Sequence, residues 1–263
     1  MKLTIVGSSG SMSGPASAAS CYLVQAPGID PETGESRLWS LVMDIGPGGF
    51  GQLWTYLEPR DLDALLITHG HADHMADVIS FQVYLRWNPG GTLEGMPLYG
   101  PSQIRDRVHQ IDGYMTHKEK CTFDHRTVEA GSTFQVGPMT VTAFPGNHPV
   151  ESYGFRIEGP SVNGDGPATI AYTGDTDMCE GMKSMAAGVD LLLAECGFTE
   201  DVKTRGIHLT GKRAGELALE SGAKVTVLTH IQPWTDPEVP AGEFEAVTGE
   251  FPQVAAPGMT WEL

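Results

Sequence analysis

A chain of 263 residues with 40% hydrophobic side chains can bury a substantial core, in one large domain or two small ones. Its 33 acidic residues outnumber 16 basic ones, for a formal net charge of −17. That surplus opposes broad contact with phosphate backbones or anionic lipid and points instead to a small ligand.

In chain order, Leu3 to Val6 reads as a first strand, followed by a Gly- and Ser-rich loop to Pro15. The loop has neither the Gly-Lys-Ser/Thr of a P-loop nor G-x-G-x-x-G spacing. It is a plain turn or, because small residues permit close approach, a backbone wall of a site around Ser9. Ser20 to Val24 and Leu38 to Ile45 read as the next strands, with Pro27 to Ser36 as the loop between them. Asp44 closes the second of these beside Gly46-Pro47-Gly48-Gly49. Phe50 to Glu58 suggests a helix, and Ala64-Leu65-Leu66-Ile67 a short buried strand.

That strand delivers Thr68-His69-Gly70-His71-Ala72-Asp73-His74. A lone histidine is usually a hydrogen-bonded core residue, but three imidazoles and a carboxylate this close together are hard to explain as packing. Imidazole combined with carboxylate suits Zn²⁺, Mn²⁺ or Fe²⁺. Met75, Val78, Ile79 and Leu85 recur at roughly helical spacing, so the motif sits where a strand hands over to a helix. Arg86-Trp87-Asn88-Pro89-Gly90-Gly91 stops that helix. Arg86 answers the helix dipole or reaches a phosphate. Met96 to Tyr99 reads as a strand and Pro101 to Gln110 as a helix. The segment from Asp112 to Arg126 shows no period, and its His117 and His125, which match no ligand motif, are expected at the surface.

Phe134 to Val136 and Met139 to Phe144 form a hairpin pattern that ends at Pro145-Gly146-Asn147-His148. Ser152 to Ile157 and Ala168 to Tyr172 follow, the second running into Thr173-Gly174-Asp175-Thr176. Asp190 to Ala194 is an apolar strand ending in Glu195-Cys196. His208-Leu209-Thr210-Gly211 then opens a helix to about Ser221, with Thr210 as a plausible N-cap. Val225 to Leu228 leads to Thr229-His230, and Gln232-Pro233-Trp234 comes next. Trp234 is placed to stack on a nucleobase or to pack at a rim. Each His or Asp motif lies just past a strand-like run, so the loops that carry them can converge on one edge of a sheet sandwich.

These motifs, in this order, resemble the metallo-β-lactamase superfamily along nearly the whole chain. The resemblance implies a four-layer αββα sandwich in a single domain, residues 1–263. It also implies two divalent ions, with Zn²⁺ expected and Mn²⁺ or Fe²⁺ possible. His69, His71 and His148 would hold one, Asp73, His74 and His230 the other, and Asp175 would bridge them. Asp44 would support the His motif from behind. In the ribonuclease-Z-like branch a His at position 208 approaches the substrate phosphate and an acid at Glu195 orients it, while Asp73 can orient the nucleophile.

The chain is more similar still to a group of bacterial cyclic-AMP phosphodiesterases. Ser8-Ser9-Gly10-Ser11, His148-Pro149-Val150-Glu151-Ser152-Tyr153-Gly154, Tyr172-Thr173-Gly174-Asp175-Thr176 and His230-Ile231-Gln232-Pro233-Trp234-Thr235 carry that likeness. Bacterial ribonuclease Z grips tRNA with an arm between the third ligand motif and the bridging Asp. Here Asp175 follows His148 by 27 positions, which leaves no room for one. The implied activity is hydrolysis of 3′,5′-cyclic AMP to 5′-AMP, with Ser9, Arg86 and Trp234 as candidate substrate contacts. A ribonuclease-Z-like tRNA nuclease and a lactonase or thioesterase are the alternatives, and family analogy suggests a homodimer. A sensor on a degenerate site would lack a ligand, yet all seven positions are filled. No Gly-x-Ser-x-Gly elbow offers a serine nucleophile. Cys21, Cys121, Cys179 and Cys196 have no C-x-x-C spacing, and the apolar run at Met1 to Val6 is too short for a signal-peptide core. Free thiols in the cytoplasm are therefore expected.

Overall fold

The computed structural model describes residues 1–113, 122–162, 164 and 166–263. The first half comprises β1 (Lys2–Gly7), β2 (Cys21–Ile29), β3 (Ser36–Met43), α1 (Gly49–Leu53), β4 (Ala64–Leu66), α2 (Ala72–Met75), α3 (Val78–Trp87), β5 (Met96–Gly100), α4 (Ile104–Asp112) and β6 (Phe123–Thr127). The second comprises β7 (Thr133–Val136), β8 (Met139–Pro145), β9 (Tyr153–Pro160), β10 (Pro167–Tyr172), α5 (Glu180–Ala186), β11 (Leu191–Glu195), α6 (Gly211–Ser221), β12 (Val225–Thr229), α7 (Glu238–Thr248), β13 (Gln253–Val254) and β14 (Thr260–Glu262). One sheet runs β14-β1-β2-β3-β4-β5-β6 and the other β13-β12-β11-β10-β9-β8-β7.

Strand periodicity sorts the apolar side chains into three layers of contact. Leu3, Ile5, Tyr22, Val24, Leu41 and Met43 meet Phe155, Ile157, Ile170 and Leu193 between the sheets. Their strand neighbours Leu23, Val42 and Leu65 face outward onto Phe50, Phe81, Leu85 and Val108 of the helices. On the far side, Leu192, Ala194 and Leu228 pack on Met182, Leu217 and Phe244. The result is the expected αββα sandwich. Burying each large side chain is worth roughly 1.5–3 kcal/mol, so all three layers contribute and the inter-sheet one, with the most buried residues, contributes most of any single layer.

Several boundaries differ from those expected, for local reasons. Pro27 belongs to β2 and pairs with Leu38, and only residues 30–35 form the connecting loop. Proline is tolerated there because β1 pairs no further along β2 than Gln25, which leaves that edge open. The helix α1 ends at Leu53, short of Glu58. Phe123 to Thr127 pairs in parallel with β5, so His125 lies half-buried in a strand and not at the open surface. Burial pushes its pKa down to about 4. His117 and Cys121 fall outside the described residues, while Cys21, Cys179 and Cys196 carry free thiols. Among the described residues no helix is long and apolar enough to cross a membrane.

Candidate metal centre

The chemistry-bearing loops follow the carboxyl ends of strands. β4 leads to His69, His71, Asp73 and His74, β8 to His148, β10 to Asp175, β11 to Glu195 and β12 to His230. Isolated bridges tie the loops together, His69 to Ser152, Asn147 to Asp177 and Ser9 to Ile231. The helix α2 opens immediately after His71, which swings Asp73 and His74 around one turn toward the same point.

His69 Nε2 lies 3.0 Å from His71 Nδ1, which lies 3.1 Å from His148 Nε2. Beside them, His74 Nε2 is 3.1 Å from His230 Nε2, and Asp73 Oδ2 is 3.2 Å from the same atom. Asp175 faces both groups, with Oδ1 3.1 Å from His74 Nε2 and Oδ2 3.7 Å from His69 Nε2. One donor atom from each of His69, His71, His148 and Asp175 falls within 4.8 Å of the others, and so it is for Asp73, His74, Asp175 and His230.

This packing fits metal. Imidazole nitrogens set nitrogen against nitrogen oppose their lone pairs unless a proton or cation lies between them. Asp175 Oδ1 is buried 3.1 Å from His74 Nε2, yet among the described residues no donor is aligned for a hydrogen bond to it. Nitrogen with carboxylate oxygen is a donor mixture suited to a divalent transition metal.

Outer contacts orient the imidazoles. Asp44 Oδ2 accepts from His74 Nδ1 at 2.7 Å, the Ile207 carbonyl from His148 Nδ1 at 2.8 Å, and Thr68 Oγ1 lies 3.0 Å from His69 Nδ1. With Nδ1 thus engaged, Nε2 of each ring is turned to the centre. Asp44 also accepts from the Thr68 N–H at 2.8 Å and from the Tyr172 hydroxyl at 2.9 Å. Asp44 and His230 both hold left-handed backbone at φ 58°, uncommon for non-glycine residues and stored here at the site itself. At Gly10 only glycine fits, because a Cβ would stand 2.0 Å from the His230 carbonyl oxygen.

The electrostatics divide the two groups. Burial pushes His69 well below its ordinary value and lowers His71 and His148, keeping these rings neutral and able to ligate. Burial would lower His74 too, but the Asp175 and Asp44 carboxylates outweigh it and hold the ring well above the ordinary range. A dication bound at Nε2 would take the place of that proton. Asp175 is held well below the carboxylate range, burial being overcome by His230 and His74.

At the side of this centre sits a second pair. Glu195 is fully buried, and its Oε1 accepts from His208 Nδ1 at 3.0 Å, Thr176 N at 3.0 Å and Leu209 N at 3.2 Å. Its Oε2 accepts from Gly197 N at 2.7 Å. The His208 ring centroid is 5.6 Å from that of His148 and 5.4 Å from that of His230. Burial opposes charge on His208, but Glu195 prevails and raises its pKa to about 9.

The three expected substrate contacts are not gathered into this constellation. Ser9 bridges to Ile231 through its backbone, while its hydroxyl is buried with no hydrogen-bond partner among the described residues. Arg86 Nη1 lies 3.7 Å from Asp112 and braces α3 against α4. Trp234 stands 65% exposed in the turn after His230. Other contacts were not foreseen: Ser152 Oγ donates to the Asp175 carbonyl at 3.0 Å, and Arg107 Nε to the Gly70 carbonyl at 3.2 Å, inside the His-x-His turn. Ser152 lay in a motif already singled out; Arg107 carried no sequence signal.

Comparison with known proteins agrees. A model of the β-lactamase superfamily domain matches residues 40–231. The uncharacterized protein Rv1339 of Mycobacterium tuberculosis is 35% identical over 250 residues, spanning 94% of this chain and 86% of its own. The probable metallo-hydrolase YhfI of Bacillus subtilis is 28% identical over 265 residues and the whole of both chains. Its crystal structure superposes with a TM-score of 0.80 over 99% of each chain, at 26% identity. The short form of human tRNase Z, at 20% identity, shares the fold with a TM-score of 0.71 over 100% of this chain and 99% of its own. With nearly three-quarters of its length under that family model and a relative 35% identical over 94% of its length, the chain belongs to the β-lactamase superfamily.

Proposed function

We propose that this protein is a dinuclear-metal phosphodiesterase that hydrolyses 3′,5′-cyclic nucleotides, converting cyclic AMP to 5′-AMP. The observation that carries the reading is the pairing of two four-donor groups through Asp175, with the His208 imidazole hydrogen-bonded to the buried Glu195 carboxylate alongside. His69, His71, His148 and Asp175 would hold one ion, and Asp73, His74, Asp175 and His230 the other, with Zn²⁺ the expected metal. Bound there, the ions would supply Lewis-acid charge for phosphate oxygens and acidify water.

The chain's own residues do the rest. Asp73, 14% exposed, reaches the cleft edge and can align the attacking water. Glu195 commits His208 Nδ1, so Nε2–H remains to donate to phosphate and then to the departing 3′ oxygen. Water attacks phosphorus and sheds a proton to solvent by way of the Asp73 carboxylate, the P–O3′ bond breaks, and the proton from His208 ends on the 3′ hydroxyl.

A small substrate is favoured over tRNA on two grounds. The interval between His148 and Asp175 is occupied largely by β9 and β10, which pair along their length and leave only the six residues 161–166 of the chain between them. A net charge of −17 repels a polyanion at long range but penalises a single phosphate at a dication site far less. The test is turnover of 3′,5′-cyclic AMP and of precursor tRNA by one metal-loaded preparation. Release of 5′-AMP with no efficient tRNA cleavage is expected. A product of 3′-AMP would overturn the assigned leaving oxygen, and faster cleavage of tRNA would sink the substrate assignment.

A further inference from the structure

Beyond the donor groups, Asp44 and the Glu195–His208 pair, two more charged residues among the described residues are over nine-tenths buried, Asp177 at 5% and Arg213 at 7% exposure, and they pair directly. Such a pair surrenders hydration that an apolar pair of equal volume would not, so its presence asks for a use. Asp177 stands where three site loops meet. Its N–H donates to the carbonyl of Asn147, the residue before His148, at 2.8 Å. Its Oδ2 accepts from the Gly206 N–H at 2.7 Å. The next carbonyl along, Ile207 O, is the one that accepts from His148 Nδ1, and His208 follows it. Arg213, in the first turn of α6, grips Asp177 Oδ1 while its Nε donates to Thr210 Oγ1, the helix cap, at 3.4 Å.

We propose that Asp177 and Arg213 are a positioning pair that fixes the Ile207 carbonyl, and through it the tautomer and aim of His148. The pair therefore governs metal affinity at the His69, His71 and His148 group. It does not govern the His74 and His230 group, whose outer support is Asp44. The logic is geometric. An Nδ1–H committed to a carbonyl leaves the Nε2 lone pair for the ion. That commitment depends on the segment 206–208, whose far end Glu195 holds through His208 and whose near end Asp177 holds through the Gly206 N–H. The inference rests on the metal reading of the centre but not on the identity of the substrate.

Asp177→Asn keeps the volume, yet an amide cannot accept from both the Gly206 N–H and the guanidinium. The full-length protein would be titrated with Zn²⁺ against a chromophoric chelator. Long-range ¹H–¹⁵N spectra of the metal-free protein would report each imidazole tautomer. One of two Zn²⁺ ions should bind about 10- to 100-fold more weakly, the other at its original affinity. His148 should lose its single Nδ1–H tautomer while His74 keeps its pattern. Arg213→Lys, which retains the charge but not the fork, should give a smaller change of the same kind. Wild-type affinity at both groups with an unchanged His148 would overturn the proposal. Equal weakening at both groups would reduce the pair to a general structural role and overturn it as well. A wild-type chain that takes up no Zn²⁺ would refute the metal reading instead, and the imidazole spectra would still decide whether the pair positions His148.

Discussion

Replacing Glu195 with Gln should separate the charge that this carboxylate puts on His208 from the scaffold it provides. An imidazole lifted from its ordinary 6.5 to about 9 carries on the order of 3 kcal/mol of preference for the protonated form. Burial works against that charge, and among the groups that raise it Glu195 comes first. Without the negative charge the ring should fall back toward its ordinary value, since desolvation persists while only Asp175 remains nearby to oppose it. Geometry is costed separately. The Gln oxygen would take the Oε1 side, where three N–H groups donate, which turns its NH₂ against the Gly197 N–H. Leaving that one buried donor unsatisfied costs roughly 1–3 kcal/mol.

The sign in pH follows. A raised folded-state value means that the His208 contribution to stability is full below 6.5 and is lost as pH rises through about 9. Metal-free wild type should thus lose stability across that window relative to Glu195→Gln, by on the order of 3 kcal/mol. Urea unfolding at both ends of the window measures this, and imidazole chemical shifts give the His208 titration directly. In the metal-loaded protein, dications held by the donor groups would pull His208 below its metal-free value, so the alkaline limb of turnover should lie under about 9 and drop further in the variant. If His208 titrates at the same pH with and without the Glu195 charge, the reasoning fails.

Three further substitutions probe the centre. Asp175→Ala should remove most bound metal and activity together, because its carboxylate faces both donor groups; elemental analysis showing full metal retention in an active variant would refute the bridging assignment. His208→Ala should keep its metal while turnover falls about 10²-fold or more, and a variant that loses metal instead would make His208 a ligand. Asp44→Ala strips the acceptor from His74, Thr68 and Tyr172 in a fully buried setting, so unfolding should show a loss of roughly 3–5 kcal/mol, and a change under about 1 kcal/mol would contradict that network.

What the sequence disclosed is governed by how local the cause is. The strand-end positions of His148, Asp175 and His230 were legible because apolar runs such as Val225 to Leu228 alternate faces within one strand, and a ligand just past such a run must leave at its end. The pairing of Glu195 with His208 was readable only through family likeness, since 13 positions and a loop separate them. Asp177 and Arg213 lie 36 positions apart on different elements. Nothing in their own neighbourhoods announces that their charges meet in the interior.

The most instructive departure is the helix after the His motif. Apolar spacing from Met75 to Leu85 reads as one helix, but the chain forms α2, pauses at Ala76 and Asp77, and restarts as α3. The break has a definite donor. Ile45 N–H takes the His74 carbonyl at 2.8 Å, the acceptor a continuing helix would have offered to Val78, and Asp77 N–H returns to the Ile45 carbonyl at 3.1 Å. Gly46 lies so close to this turn that a Cβ would stand 1.8 Å from the Asp73 carbonyl oxygen, so only glycine lets the segment dock. Asp44, immediately before, reaches the His74 ring from the same segment. One tripeptide from the end of β3 therefore interrupts the helix and orients its ligand in a single act. An uninterrupted helix could be drawn from its own spacing, whereas this one is cut by a segment some 30 residues upstream. The helix is broken where it is so that the carboxylate of Asp44 can stand behind His74.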